Sequence, residues 1–186
     1  TQTLTTFVVD ASGSSAMNRL AEAKGAVELL LAECYVRRDQ VALIAFRGSE
    51  AELLLSPTRS LVRAKRSLAS LPGGGGTPLA CAIDSAYQLA KASLKKGMTP
   101  TLVFLTDGRA NIARDGTPGR AQAQIDAEQS ARMAAQVKVR SLWIDTSPQA
   151  REEGRHIAHL IGSYYLPLPH AGAQELSQAV IQVLHQ

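Results

Sequence analysis

Short apolar strands alternate with amphipathic helices along all 186 residues, which predicts an α/β protein: a doubly wound, mostly parallel sheet flanked by helices on both faces. Three observations carry that prediction. Six short apolar or β-branched runs recur between helical patterns. Two of these runs stop at an acid, as Val9-Asp10 and Thr106-Asp107. Hydrophobic residues make up 45% and charged residues 19%, which supports one sizeable core and argues against disorder.

The first strand is expected over Leu4–Val9 (LTTFVV). Leu20, Val27, Leu30, Leu31 and Cys34 then recur at helical spacing, predicting a helix over about 16–36. Gln40–Phe46 (QVALIAF) is continuously apolar, the mark of a strand buried on both faces, and Ala51–Leu55 can pair beside it. Leu61, Ala64, Leu68 and Leu71 predict a helix over 60–71. After Pro72 and four glycines, Thr77-Pro78 opens a helix to about Lys96, with Pro78 suited to its first position. Thr101–Thr106 (TLVFLT) is a strand, and a polar loop runs on to about Arg120, its part from Arg114 to Arg120 expected to be mobile. The remaining elements are a helix over Gln122–Gln136, a strand over Val137–Ile144, a helix over Gln149–Ile161, a strand over Tyr164–Leu168 and a closing helix over Ala173–Leu184.

With aromatics at only 4%, Ala, Leu, Val and Ile must build the core. The net charge of +4 is small and spread along the chain, so it points to no nucleic acid. No apolar run is long enough to span a bilayer, and no secretion signal is visible. Cys34 and Cys81 sit in helical patterns outside any CxxC pair, which reads as two buried thiols in a reducing compartment. The expected organisation is one domain over residues 1–186, cut from the C-terminus of a longer chain and cytoplasmic, or stromal in a plastid.

Chemistry concentrates at the two acid-ended strands. In a doubly wound sheet, ligands bind at the carboxyl ends of strands where the strand order reverses. Asp10-Ala11-Ser12-Gly13-Ser14 can aim three oxygens into one concavity, and the glycine run brings Thr77 to a helix start above the sheet. With Asp107, every candidate donor is a carboxylate or hydroxyl oxygen, and hard oxygen donors favour Mg²⁺ or Mn²⁺ over Zn²⁺. The glycine run lacks the Gly-Lys-Ser/Thr ending of a phosphate-binding loop, so no nucleotide site is expected there. Ser93-Leu94-Lys95-Lys96 has no supporting motif for a Ser–Lys nucleophile.

Asp10-x-Ser12-x-Ser14, Thr77 in its glycine-rich loop, and Thr106-Asp107-Gly108 after an apolar strand together resemble the metal-ion-dependent adhesion site of von Willebrand factor A (integrin I) domains. The resemblance covers essentially the whole chain. Gly73 to Ala80 and Phe104 to Ile112 further resemble the C-terminal domain of magnesium chelatase D subunits, which support insertion of Mg²⁺ into protoporphyrin IX in chlorophyll and bacteriochlorophyll synthesis. Similar domains of cobalt chelatase subunits and nitric-oxide-reductase accessory proteins are the near alternatives.

The resemblance implies that Ser12, Ser14 and Thr77 contact the metal, that Asp10 and Asp107 bind it directly or through water, and that an acidic residue of a partner completes the sphere. It implies an ATP-hydrolysing (AAA+) I subunit and a porphyrin-binding H subunit as partners. ATP would enter only through a neighbouring AAA+ domain or the partner. Arg109 and Asn111 follow just past Asp107 and read either as bordering the open position, where they would recognise the partner's carboxylate, or as ordinary loop residues. The domain by itself is expected to be a non-catalytic binding module. A Mg²⁺-dependent phosphohydrolase using Asp10 as nucleophile is a distant alternative, weakened by Ser12 where such enzymes carry a second Asp.

Among other residues, His156 and His159 could share a helix face but read better as surface or half-buried histidines, and Trp143 reads as core packing. Arg59, Arg63, Lys65 and Arg66 form a basic cluster, read as a solvated face or, alternatively, a docking surface for acidic partner segments.

Overall fold

The computed structural model describes residues 2–12, 27–149, 151–168, 178–179 and 181–183. Six strands form one sheet: β1 (Thr3–Asp10), β2 (Gln40–Arg47), β3 (Glu50–Thr58), β4 (Thr99–Thr106), β5 (Arg140–Asp145) and β6 (Tyr164–Pro167), in the order β3-β2-β1-β4-β5-β6. All neighbours are parallel except the β2–β3 hairpin, which closes one edge. The helices are α1 (27–36 as described), α2 (Leu61–Ala69), α3 (Leu79–Lys95), α4 (Arg120–Ala135) and α5 (Glu152–Ile161). The expected doubly wound architecture is therefore observed. The N-terminal part of the predicted first helix and most of the closing helix lie outside the described residues, although 178–179 and 181–183 are helical.

The strands bury both faces, so alternate residues enter two separate cores. Phe7, Val9, Leu43, Ala45, Val103, Leu105, Leu142 and Ile144 face one core with Leu30 and Leu31 of α1 and Ala64 of α2. Val8, Ile44, Phe46, Leu102, Phe104 and Trp143 face the other with α3, α4 and α5. Ala82, Ala86, Ala123, Ala127 and Ala131 supply much of this second layer. Small side chains let α3 and α4 approach each other closely, which is how a chain so poor in aromatics fills its core. Trp143 is fully buried and stacks on Phe104 with ring centres 5.3 Å apart.

Several boundaries correct the sequence reading. Pro78 is the N-cap of α3 rather than its first helical residue. β5 begins at Arg140, because the backbone N–H of Val137 still bonds to Ala134 and that of Val139 to Val137 as α4 unwinds. α5 begins at Glu152, three residues later than expected. Cys34 is buried as anticipated, but Cys81 is only half-buried, and both are free thiols. The loop expected to be mobile is tethered: Arg114 donates to Asp84, Gln129, Ser130 and the Asp126 carbonyl, while its backbone N–H bonds the Asp126 carboxylate. No helix among the described residues is long and apolar enough to cross a membrane.

Candidate metal site

The strand order reverses between β1 and β4. The chain leaves β1 toward β2 on one side and returns through α3 to β4 on the other, opening a crevice at their carboxyl ends. Val9 pairs with Leu105, so Asp10 and Thr106 emerge side by side into that crevice.

Asp10 is 8% exposed and takes three hydrogen bonds. Its Oδ1 accepts from the Ser12 backbone N–H at 3.0 Å and the Ser12 hydroxyl at 2.5 Å. Its Oδ2 accepts from Thr106 Oγ1 at 2.7 Å. Thr77 Oγ1, brought in by the glycine loop, donates to Ser12 Oγ at 2.8 Å. Four side chains from three distant segments therefore form one continuous oxygen chain, Thr77–Ser12–Asp10–Thr106. Asp107 follows directly on Thr106, and its Oδ1 accepts from the Arg109 backbone N–H at 3.0 Å.

The backbone holds these groups firmly. Thr77 is pinned by its N–H to Asn111 Oδ1 at 2.6 Å, and its carbonyl accepts from the Asn111 N–H at 3.2 Å. Gly74 N–H reaches back to the Ala11 carbonyl at 3.0 Å, tying the glycine loop to the Asp10 turn. The loop can lie this low because Gly76 has no side chain: a Cβ there would come within 2.5 Å of Ile112 and 3.0 Å of Asn111 Oδ1.

Burial pushes the Asp10 carboxyl up from 3.8 to about 6; the hydrogen bonds from Ser12 and Thr106 pull it back only in part, and the charge of Asp107 adds to the rise. A buried carboxylate with a second carboxylate nearby and hydroxyl oxygens around it is a donor set suited to a hard divalent cation. No group of three or more His, Cys, Asp or Glu able to hold a metal occurs among the described residues, so the donor set relies on hydroxyls.

The structure thus brings Asp10, Ser12, Thr77 and Asp107 to one crevice. Ser14 lies outside the described residues. Of the two residues expected to meet a partner, Asn111 holds Thr77 through its side chain and Arg109 bonds Asp107 through its backbone N–H. Sequence reasoning missed Thr106, whose hydroxyl bonds Asp10 and also accepts the Gly108 N–H at 3.1 Å. Its place beside Asp107 at the strand end was the available signal. Among the described residues His156 joins no metal-binding cluster; it pairs with Glu128 at 3.2 Å between α5 and α4, and His159 is exposed.

A family model described as the von Willebrand factor type A domain matches residues 5–109. The magnesium-chelatase 60 kDa subunit of Cereibacter sphaeroides is 52% identical over 174 residues, covering 94% of this chain and 31% of that protein. The 60 kDa subunit of Rhodobacter capsulatus is 47% identical over the same shares, so the chain spans about a third of the length of these relatives. Among solved structures, the von Willebrand factor domain of the type V pili tip protein Mfa5 from Porphyromonas gingivalis superposes with a TM-score of 0.76 over 99% of this chain and 95% of that one, at 11% identity. At that identity the likeness speaks for the fold alone.

Proposed function

The chain belongs to the von Willebrand factor type A domain family, and from that premise we propose that it is the metal-dependent protein-binding domain of a magnesium chelatase D-type subunit. One observation carries the reading: the all-oxygen chain Thr77–Ser12–Asp10–Thr106, with Asp107 beside it, at the reversal point of the sheet. In this reading Asp10, Ser12, Ser14, Thr77 and Asp107 hold Mg²⁺, or Mn²⁺ in its place. The ion, when bound, would supply an electropositive centre able to attract a carboxylate from outside.

The residues prepare that centre. Thr106 and the Ser12 turn fix the Asp10 carboxylate, so binding costs little reordering of the site. Asn111 fixes Thr77, and the Arg109 N–H fixes Asp107. In this reading the charge of Arg109, two residues past Asp107, attracts an acidic residue of the partner. The chelatase I (AAA+ ATPase) and H (porphyrin-binding) subunits are the partners this reading names. ATP hydrolysis and the insertion of Mg²⁺ into protoporphyrin belong to the whole assembly, and the ion held by this domain is distinct from the ion inserted.

The test is capture of the I and H subunits by the immobilised chain. Wild type should retain at least one of them in Mg²⁺ and release it in EDTA, while Asp10→Ala, folded by circular dichroism, should retain neither. Equal retention under all conditions overturns the proposal.

A further inference from the structure

A second recognition surface lies at the other end of the sheet. Tyr35, Val36, Arg38, Asp39 and Arg59 line an open cavity of about 590 Å³ where α1 ends, β2 begins and β3 leads into α2. Val41 pairs with Thr58, so this is the edge opposite the one bearing Asp10, at a distance of roughly 20 Å given the rise per residue along β2.

Three features set this cavity apart from an ordinary solvated face. Its apolar members stand open to solvent: Tyr35 is 61% and Val36 75% exposed. Its charge is one-sided. Asp39, the acid in the lining, is buried and lies 3.6 Å from the Arg37 guanidinium, whereas Arg38 and Arg59 are exposed and form no salt bridge among the described residues. Exposed Arg63, Lys65 and Arg66 follow on α2 and extend the positive surface.

The third feature is backbone geometry. The Asp39 N–H bonds the Cys34 carbonyl at 2.8 Å and the Arg38 N–H bonds the Tyr35 carbonyl at 3.1 Å, a paired closure of the helix end that places Arg38 in the left-handed region, at φ 59°. Glycine is the usual occupant of that position. Arg38 is the one positive-φ residue other than glycine among those described, and it lines the cavity together with Arg59.

We propose that this cavity docks an acidic peptide segment that also carries an aromatic or aliphatic side chain: its carboxylates pair with Arg38 and Arg59, and its apolar group packs on Tyr35 and Val36. The contact is independent of the metal-directed site, so the domain can hold two segments at once.

The probe is a fluorescein-labelled peptide of three Glu-Glu-Phe repeats, with three Lys-Lys-Phe repeats and a single-stranded oligothymidine as comparators, followed by fluorescence anisotropy at moderate salt. Arg59→Glu and Arg38→Gly should each weaken binding of the acidic peptide by about fivefold or more, and EDTA should leave it unchanged. Arg38→Gly also relieves the left-handed strain, so its Tm should rise by about 2 °C while binding falls. A residue present only for structure would not produce that opposite pair of effects. Wild-type affinity for the acidic peptide, whether undetectable or unchanged in both variants, overturns the proposal. So does oligothymidine binding as tightly with the same sensitivity, which would mean that any polyanion is accepted. Because EDTA separates the two surfaces, failure here leaves the metal-dependent reading to its own test.

Discussion

Asp10 shows what the burial of a single carboxyl costs the metal-free fold. Its carboxyl titrates at about 6 in the fold against an ordinary 3.8, chiefly because it is buried. Below pH 3.8 both folded and unfolded forms hold the proton, and no penalty arises. Between 3.8 and 6 the unfolded chain gives up its proton first, so the metal-free fold loses stability as pH rises. Above 6 the full cost stands, up to about 3 kcal/mol. Asp10→Asn removes the charge, keeps an oxygen for Ser12 and lets Thr106 accept rather than donate. The metal-free variant should therefore be more stable than wild type by up to about 3 kcal/mol at pH 8, with the gap closing toward pH 4. Urea unfolding in EDTA across that range measures it, and parallel curves for the two proteins would count against it. The acid at position 10 was legible in the sequence because it ends an apolar run. The hydroxyl of Thr106 was not recognised, because a threonine closing a β-branched strand looks like strand propensity until its partner across the crevice is known.

Elements were legible where periodicity is strong, and their ends were not. The continuous apolar run of β2 reads as a strand buried on both faces, and β1 and β4, whose threonines interrupt the apolar run, are buried over nearly all their length as well. The start of β5 was misplaced because Val137 and Val139 look like strand residues but lie in the turn that ends α4. Also hidden from sequence was the way α5 sets the height of the metal-site loop. Gly108 and Gly154 meet backbone to backbone: a Cβ on Gly154 would lie 2.9 Å from the Asp107 carbonyl and 3.2 Å from Asp145 Oδ2. Asp145 is buried, its Oδ1 bonded by the Ser147 N–H and hydroxyl and its Oδ2 by the Tyr165 hydroxyl, so it cannot retreat. Gly154→Ala should therefore push α5 and the Asp107 loop apart at a cost of about 1–3 kcal/mol. The loss should appear as a lower Tm and, in the same protein, weaker Mg²⁺ binding by calorimetry. An unchanged Tm would mean that the α5 turn yields more readily than its contacts indicate.

At the scale of the molecule, two cores on either side of one sheet leave its ends free for recognition. The reversal of strand order determines which end carries the metal-site oxygens. The sequence showed the acids at two strand ends, but only the reversal of strand order, which puts β1 beside β4, makes those two ends neighbours. The exposed cavity at the opposite edge depends on how α1 terminates at Arg38, which no periodicity announces. The candidate metal site draws on β1, on the loop before α3 and on the end of β4, so it forms only when the whole sheet is assembled. A cation bound there must therefore stabilise the entire fold by mass action. At a free Mg²⁺ concentration one hundred times its dissociation constant, the gain is about 2.7 kcal/mol. For a domain of this size that raises Tm by roughly 5–10 °C. Differential scanning fluorimetry with rising Mg²⁺ or Mn²⁺ should show a saturable upward shift in wild type and none in Asp10→Ala. If the shift is absent with both ions at ten-millimolar concentration, the oxygens at the reversal point hold one another rather than a metal, and Asp10 is a costly turn residue with no cation to offset its burial.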